Sequence, residues 1–599
     1  MVEMLAKDST TVADMFRLRA ERTPNRESYR FKDEGTWTQR TWADLSQESD
    51  SLAVALHDLG VGRGDAVAIL AECCPNWCLC DMGTVLVGAM SVGLYPTLLV
   101  DQMQFIVDDS RCKLLFVQGQ EQYDKVKPLL EAVDGLQWLV TWDVAEVEGE
   151  GVHRLEDLLD RGRELLRDQP ELPGSFVVEP DDTALVVYTS GTTGRPKGVP
   201  LTHRNIIAGL SAADGLVDDE ITEDDITMSF LPMAHVAEHV PGFYGRINIG
   251  LKTAFATNYE TLLDELLEVR PTYFGAVPRI FEKMYGRIHE EVGKANPRRQ
   301  AIFHWAKDLA RRNGRAQTGG APLSAVDRVM LKVADRLIYR RIRAVFGGRV
   351  KGFVTGSAPI NIEILEFFTG LGMRIIEVYG LSESTAISFA NTLSDIRLGT
   401  VGRAIPGVEF KLADDGEILL RGPTIFSGYL NLPDESKESF DDEGYLKTGD
   451  IGVVDDEGYL RITDRKKNLI KTAGGKYVVP ARIESLVKDE PLISQVYVHG
   501  DRKPYVVGLV TLDERETGRV AELLGVTESD LPTHPEVIRR IEVAIERGNT
   551  RLARFEQLKK HSILPTDFSI EDGTLTPTMK IKRKVVAERY SERLEELYN

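Results

Sequence analysis

In "ALVVYTSGTTGRPKG", residues 184–198, five apolar residues run into four serine and threonine hydroxyls, two glycines and then a lysine. The apolar run predicts a buried strand, and the Gly-Thr-Thr-Gly after it predicts a loop. Glycines let backbone N–H groups approach a ligand, while hydroxyls and Lys197 supply donors and charge, a combination that suits a polyphosphate. The Walker-type P-loop is excluded, because it needs Gly-Lys-Ser/Thr opening a helix and here Pro196 splits Arg195 from Lys197. Four more segments could do chemistry. "VYGLSES" (378–384) sets an aromatic, a glycine, a hydroxyl and a carboxylate after an apolar run. "KTGD" (447–450) offers a carboxylate in an expected turn. "DRKKNLIKTAGGKY" (464–477) follows an expected strand, and "LTPTMKIKRK" (575–584) places Lys580 near the end.

In order and spacing these segments resemble the adenylate-forming superfamily of acyl-CoA synthetases, luciferases and peptide-synthetase adenylation domains, over essentially the whole chain. Such enzymes turn a carboxylate, a poor electrophile, into an acyl-AMP. The attack brings two anions together, so cations and preorganised donors are needed around the α-phosphate. The resemblance implies that Thr189, Ser190, Gly191, Thr192, Thr193, Gly194 and Lys197 hold the β- and γ-phosphates, and that Ser382 bonds the α-phosphate. Glu383, helped by Thr189, would ligate Mg²⁺, which prefers oxygen ligands. Gly356, Ser357 and Ala358, with Glu377, Val378, Tyr379 and Gly380, would flank adenine. Asp450 would accept from the ribose hydroxyls, beside Ile462 and Arg465. Lys580 would bridge substrate carboxylate and α-phosphate, favouring the charge of the transition state. For attack by the CoA thiolate, the resemblance implies a swing of a small C-terminal domain about Lys467. Lys471, Gly474 and Gly475 would then lie along a pantetheine tunnel.

"GAVPRIFEKMY" (275–285), followed by a long basic helical insertion, resembles long-chain fatty acyl-CoA synthetases, which implies a long-chain fatty acid, ATP and CoA as substrates. "LPMAHVAEH" (231–239) fits as well, with His235 lining the acid and phosphate site and the acyl tunnel expected between residues 233–250 and the sheet. Two alternatives stay open: an enzyme that stops at acyl-AMP or loads a carrier protein, and a non-catalytic nucleotide- or acyl-binding protein.

These residues need elements to position them. At 599 residues two or more domains are expected. Short apolar strands such as "AVAIL" and "KLLFV" alternate with helical patterns through "GFVTGSAPI", which is α/β grammar. From about Arg403 short strands separated by Gly/Asp turns predict an antiparallel sheet or small barrel. The expected fold is therefore α/β, with a large N-terminal region (1–464) and a smaller mobile α+β domain (465–599) carrying Lys580. A net charge of −20 argues against general nucleic-acid binding. The start "MVEMLAKDSTT" lacks a basic region and apolar core, so no secretory signal is expected there. The most apolar stretch, 78–100, holds Asp81 and three glycines and reads as a core helix and a strand. Four cysteines in "CCPNWCLC" read as reduced core thiols, and a cytoplasmic location follows. Residues 282–351 carry 17 Lys+Arg against 6 Asp+Glu, a local +11 that leaves −31 on the rest. Either this is a solvated helical face, or Arg336, Arg340, Arg341 and Arg343 make a weak peripheral contact with anionic lipid.

Overall fold

The computed structural model describes residues 4–189, 195–216, 221–488, 490–576 and 580–599. The strand Ala66–Leu70 explains the first layer. Val67 and Ile69 enter one core while Ala66, Ala68 and Leu70 enter another, as in a strand covered on both faces. It belongs to a seven-stranded sheet ordered Val152–Arg154, Trp138–Trp142, Cys112–Gln118, Ala66–Leu70, Met90–Leu94, Thr183–Thr189 and Lys197–Thr202. Pairing is parallel until the last step, where Thr183–Thr189 and Lys197–Thr202 run antiparallel with Thr189 opposite Lys197. The apolar stretch at 78–100 resolves into the helix Pro75–Leu86, which buries Cys78 and Cys80, and the strand Met90–Leu94. Among the described residues no helix is long and apolar enough to cross a membrane.

In the second layer Tyr273–Gly275, Gly352–Thr355 and Ile375–Tyr379 are parallel, followed by the antiparallel pairs Phe389–Ala390 and Arg403–Ala404. The basic insertion is the crossover between the first two of these strands. It consists of Pro278–Gly293, Pro297–Gln317 and Ala325–Ala334, continuing through a π-turn Asp335–Tyr339 into Arg340–Ala344. Phe281, Phe346, Phe353, Phe367 and Phe368 pack where these helices meet the sheet. A third sheet, Ile226–Ser229, Lys252–Phe255, Glu27–Asp33 and Thr36–Thr41, completes the N-terminal body.

The Gly/Asp-punctuated region takes the sheet form of the expectation. Glu409–Leu412, Glu417–Arg421, Leu446–Val454 and Leu460–Arg465 are antiparallel in that order. Asp450 does not sit in a turn as expected. It lies inside Leu446–Val454, paired with Arg465, although the register against Glu417–Arg421 slips between Lys447 and Ile451, where Gly449 is left-handed. Beyond Arg465 a separate core of Ile483, Val496, Val510 and Ile541 joins a three-stranded sheet to the helices Pro480–Val487 and Pro535–Asn549.

Candidate active site

Tyr379 ends its parallel strand, and its hydroxyl donates to Asp450 Oδ2 at 2.8 Å. Arg465 Nε holds the other oxygen, Oδ1, at 2.9 Å. Asp450 is only 4% exposed. Burial pushes its pKa up, and Arg465 and the tyrosine hydroxyl restrain that rise. Val378, Tyr379 and Ile462 share one apolar cluster with Phe389, so a flat ring placed there meets apolar walls and a fixed carboxylate.

After Tyr379 the chain doubles back. A side-chain carbon on Gly380 would lie 2.1 Å from the Ala386 carbonyl oxygen, so this return admits only glycine. A 3₁₀ turn, Ser382–Ser384, follows, and then Thr385 and Ala386 both take left-handed backbone angles (φ 56° and 76°). Non-glycine residues pay for that conformation, and such strain gathers at functional turns. Here it aims Glu383 at Tyr429, whose hydroxyl donates to Glu383 Oε1 at 2.8 Å. Lys197 Nζ lies 4.9 Å from the centre of the same ring. Tyr429 was not anticipated from the sequence. In "FSGYLN" it carries no local signal, and only the folded contact between remote segments reveals it.

Four cations approach these carboxylates. Burial pulls Lys467 below the ordinary lysine range, Arg465 and Lys197 add to the shift, and Asp450 and Glu383 oppose it. Lys580 is open to solvent along its outer side, yet the protein packed around it likewise lowers its pKa. Arg465 reinforces that shift and Asp450 opposes it. A short return brings Lys580 in: its backbone N–H donates to Thr576 Oγ1 at 3.1 Å, while Leu575 and Ile581 pair antiparallel. Its charge also reaches His235, whose pKa falls to about 4, chiefly through burial. His235 Nδ1 accepts from the Ala237 N–H at 3.2 Å, which leaves Nε2 of the neutral ring as a donor. Behind His235 the chain forms a π-helix, Glu238–Tyr244. Buried Glu238–Arg246 and His239–Asp81–Tyr244 contacts tie it down, and Met233, Val236, Val240 and Phe243 join the sheet's core.

Other expected residues fall elsewhere. Residues 190–194, hence Ser190, Gly191, Thr192, Thr193 and Gly194, lie outside the described residues. Thr189 ends its strand directly across from Lys197. Gly356 backs onto Val378 and Ser357 is left-handed, so the 356–358 turn lies against the Tyr379 strand. Glu377 turns instead to the Gly399 N–H at 3.1 Å, and burial raises its pKa to about 8. Lys471 lies over the Tyr477 ring, and Gly474 and Gly475 stand open, with nothing among the described residues within 4 Å of where a side chain would begin. Gly475 has a φ of 73°, a left-handed angle that favours glycine. An open hollow of about 470 Å³ beside Trp305, Arg311 and Arg315 belongs to the insertion rather than to this crevice.

Residues 16–430 match the model of the AMP-binding enzyme family, and residues 467–599 match that of the AMP-binding enzyme C-terminal domain. The chain belongs to the AMP-binding enzyme family. It is similar to the long-chain-fatty-acid–CoA ligase FadD15 of Mycobacterium tuberculosis, 36% identical over 94% of this chain and 93% of that protein. It is also similar to the long-chain-fatty-acid–CoA ligase ACSBG1 of Rattus norvegicus, 32% identical over 98% and 85%. Among solved structures, the A-PCP didomain of the carboxylic acid reductase from Segniliparus rugosus in complex with AMP superposes with a TM-score of 0.76. The identity is 22%, over 98% of this chain and 82% of that one. ATP-bound MatB from Rhodopseudomonas palustris gives 0.70 at 21% identity, over 97% and 99%. These two likenesses show that the AMP-binding enzyme shares their fold.

Proposed function

We propose that this AMP-binding enzyme is a long-chain fatty acid–CoA ligase, forming acyl-CoA, AMP and diphosphate from ATP, fatty acid and CoA through an acyl-adenylate. The observation that carries this reading is the gathering of Lys197, Arg465, Lys467 and Lys580 around the buried Tyr379–Asp450 pair and Glu383. Like charges this close disfavour one another, and a polyphosphate with a carboxylate supplies the anions that relieve them. The relatives' names support the long-chain acid and CoA.

Each residue then has a task. Asp450, held on both oxygens, orients the ribose hydroxyls, and Tyr379, Val378 and Ile462 wall the adenine. Lys197 and residues 190–194 hold the β- and γ-phosphates, and Ser382 bonds the α-phosphate. Lys580 lies between acid and α-phosphate, where attack brings two anions together. His235, neutral at working pH, donates from Nε2 to an oxygen of the acid or phosphate without adding charge. The hard oxygens of Glu383 and Thr189 fit Mg²⁺, which would neutralise phosphate charge there. The chain divides near Arg465, Lys467 serves as the hinge, and a swing carries Lys580 away and brings Lys471, Gly474 and Gly475 to the CoA passage. Because the acid partitions into bilayers, the protein works in the cytoplasm and rests peripherally on the membrane.

Acids of graded length, incubated with ATP and with or without CoA, test the proposal. The expected outcome is equimolar AMP and acyl-CoA, greatest for long chains. AMP release that never needs CoA, or transfer only to a carrier protein, would instead support an acyl-AMP ligase or carrier loader.

A further inference from the structure

The outer face of the insertion is unusual for a solvated helix. Val326, Val329, Val333 and Leu337 recur at helical spacing and are 66%, 58%, 41% and 46% exposed. Ala334, Tyr339 and Ile342 pack into the aromatic core, with Met330, Leu331 and Ile338 partly buried against it, so the helix is fixed while the four exposed side chains point outward. Exposed Arg328, Lys332, Arg336 and Arg341 border the stripe, and among the described residues no ion pair holds them. Both acids of the helix are already used: Asp327 pairs with Arg312 at 2.8 Å, and Asp335 with Arg340 at 2.9 Å and Arg343 at 2.5 Å. Arg343 is partly buried and also donates to the Leu371 carbonyl. Arg340 and Arg343 are therefore poor docking groups, which corrects the four-arginine set expected from the sequence.

We infer that this face, the Val326–Val329–Val333–Leu337 stripe with Arg328, Lys332, Arg336 and Arg341, is the surface by which the protein docks on an anionic lipid bilayer. The aliphatic side chains enter the interface between headgroups and acyl chains, and the cations meet lipid phosphates. The charge balance selects this occupant and this side. The chain outside residues 282–351 carries −31 and is repelled by such a surface, while the insertion carries +11. A second copy is disfavoured, because self-pairing would set four free cations against four and four aliphatic side chains fall short of the ~800 Å² per partner of a stable interface. The inference extends the membrane contact in the proposed function to a defined face, but its test needs no substrate and stands apart from the reaction.

The test is co-sedimentation of the full chain with vesicles of phosphatidylcholine alone or with about one third phosphatidylglycerol, at low and high salt. The wild type is expected to bind only the anionic vesicles, and to release in salt. Val329→Gln with Val333→Gln should weaken binding about 10-fold. Arg328→Gln, Lys332→Gln, Arg336→Gln and Arg341→Gln together should weaken it about 1,000-fold. Both variants should keep wild-type melting and turnover of detergent-dispersed acid. Wild type that fails to bind at low salt, or variants that bind like wild type, would overturn the inference. So would a wild-type dimer that the stripe variant dissolves in the absence of vesicles.

Discussion

Tyr429 is the residue whose role is most sharply posed by geometry, since it touches both Glu383 and Lys197. Tyr429→Phe keeps the ring beneath Lys197 and removes the hydroxyl from Glu383. A hydrogen bond to a charged group contributes about 1.5–3 kcal/mol, so acid-dependent ATP–diphosphate exchange should fall on the order of 10- to 100-fold with melting unchanged. Exchange at the wild-type rate would show that Tyr429 only packs. Glu377 gives a prediction of the opposite kind, about stability. Its pKa is raised from 4.5 to about 8 by burial, so the folded state keeps a proton that the unfolded chain releases. The stabilisation is complete below pH 4.5 and is lost as pH rises through 8. Glu377→Gln, which can still accept from the Gly399 N–H, should therefore gain melting temperature over wild type steadily between those values. A difference that stays flat with pH would mean Glu377 is ionised throughout.

At the scale of elements, the 380–386 return decides where Glu383 points. Gly380→Ala drives a carbon into the Ala386 carbonyl, which lies 2.1 Å away, so the turn must open and Glu383 must move. Adenylation should drop about 10²-fold, the scale of losing an electrostatic stabiliser, while circular dichroism stays native. Unaltered activity in a folded Gly380→Ala protein would show that the strained return does not position the carboxylate. The same elements show what could be read in advance. The Thr183–Thr189 strand was legible because its apolar run reads as a buried strand. The helical insertion was legible from its apolar spacing. Asp450 was misplaced into a turn because "KTGD" has turn composition, whereas the pairing with Arg465 that keeps it in a strand is a long-range contact. Tyr429, the π-turn and the outward direction of the Val326–Leu337 stripe also depend on packing between remote segments, which no local pattern encodes.

At the scale of the whole molecule, ion pairs among the described residues cross from the insertion and its neighbouring helix to the chain beyond Arg465. They are Arg279–Asp513 at 3.3 Å, Glu290–Arg519 at 3.3 Å and Glu363–Arg551 at 3.1 Å. Exposed pairs contribute about 0–1 kcal/mol each, enough to favour this orientation and too little to lock it. It is the orientation that brings Lys580 near Asp450, Arg465 and His235. The proposed two-step reaction would use that lysine in the first step and its departure in the second. The most direct test is Lys580→Ala, assayed separately for acyl-AMP formation from ATP and a long-chain acid and for thioester formation from supplied acyl-AMP and CoA. Acyl-AMP formation is expected to fall about 10²-fold or more while thioester formation is largely spared. Equal loss of both half-reactions, or acyl-AMP formation that survives without Lys580, would contradict the account.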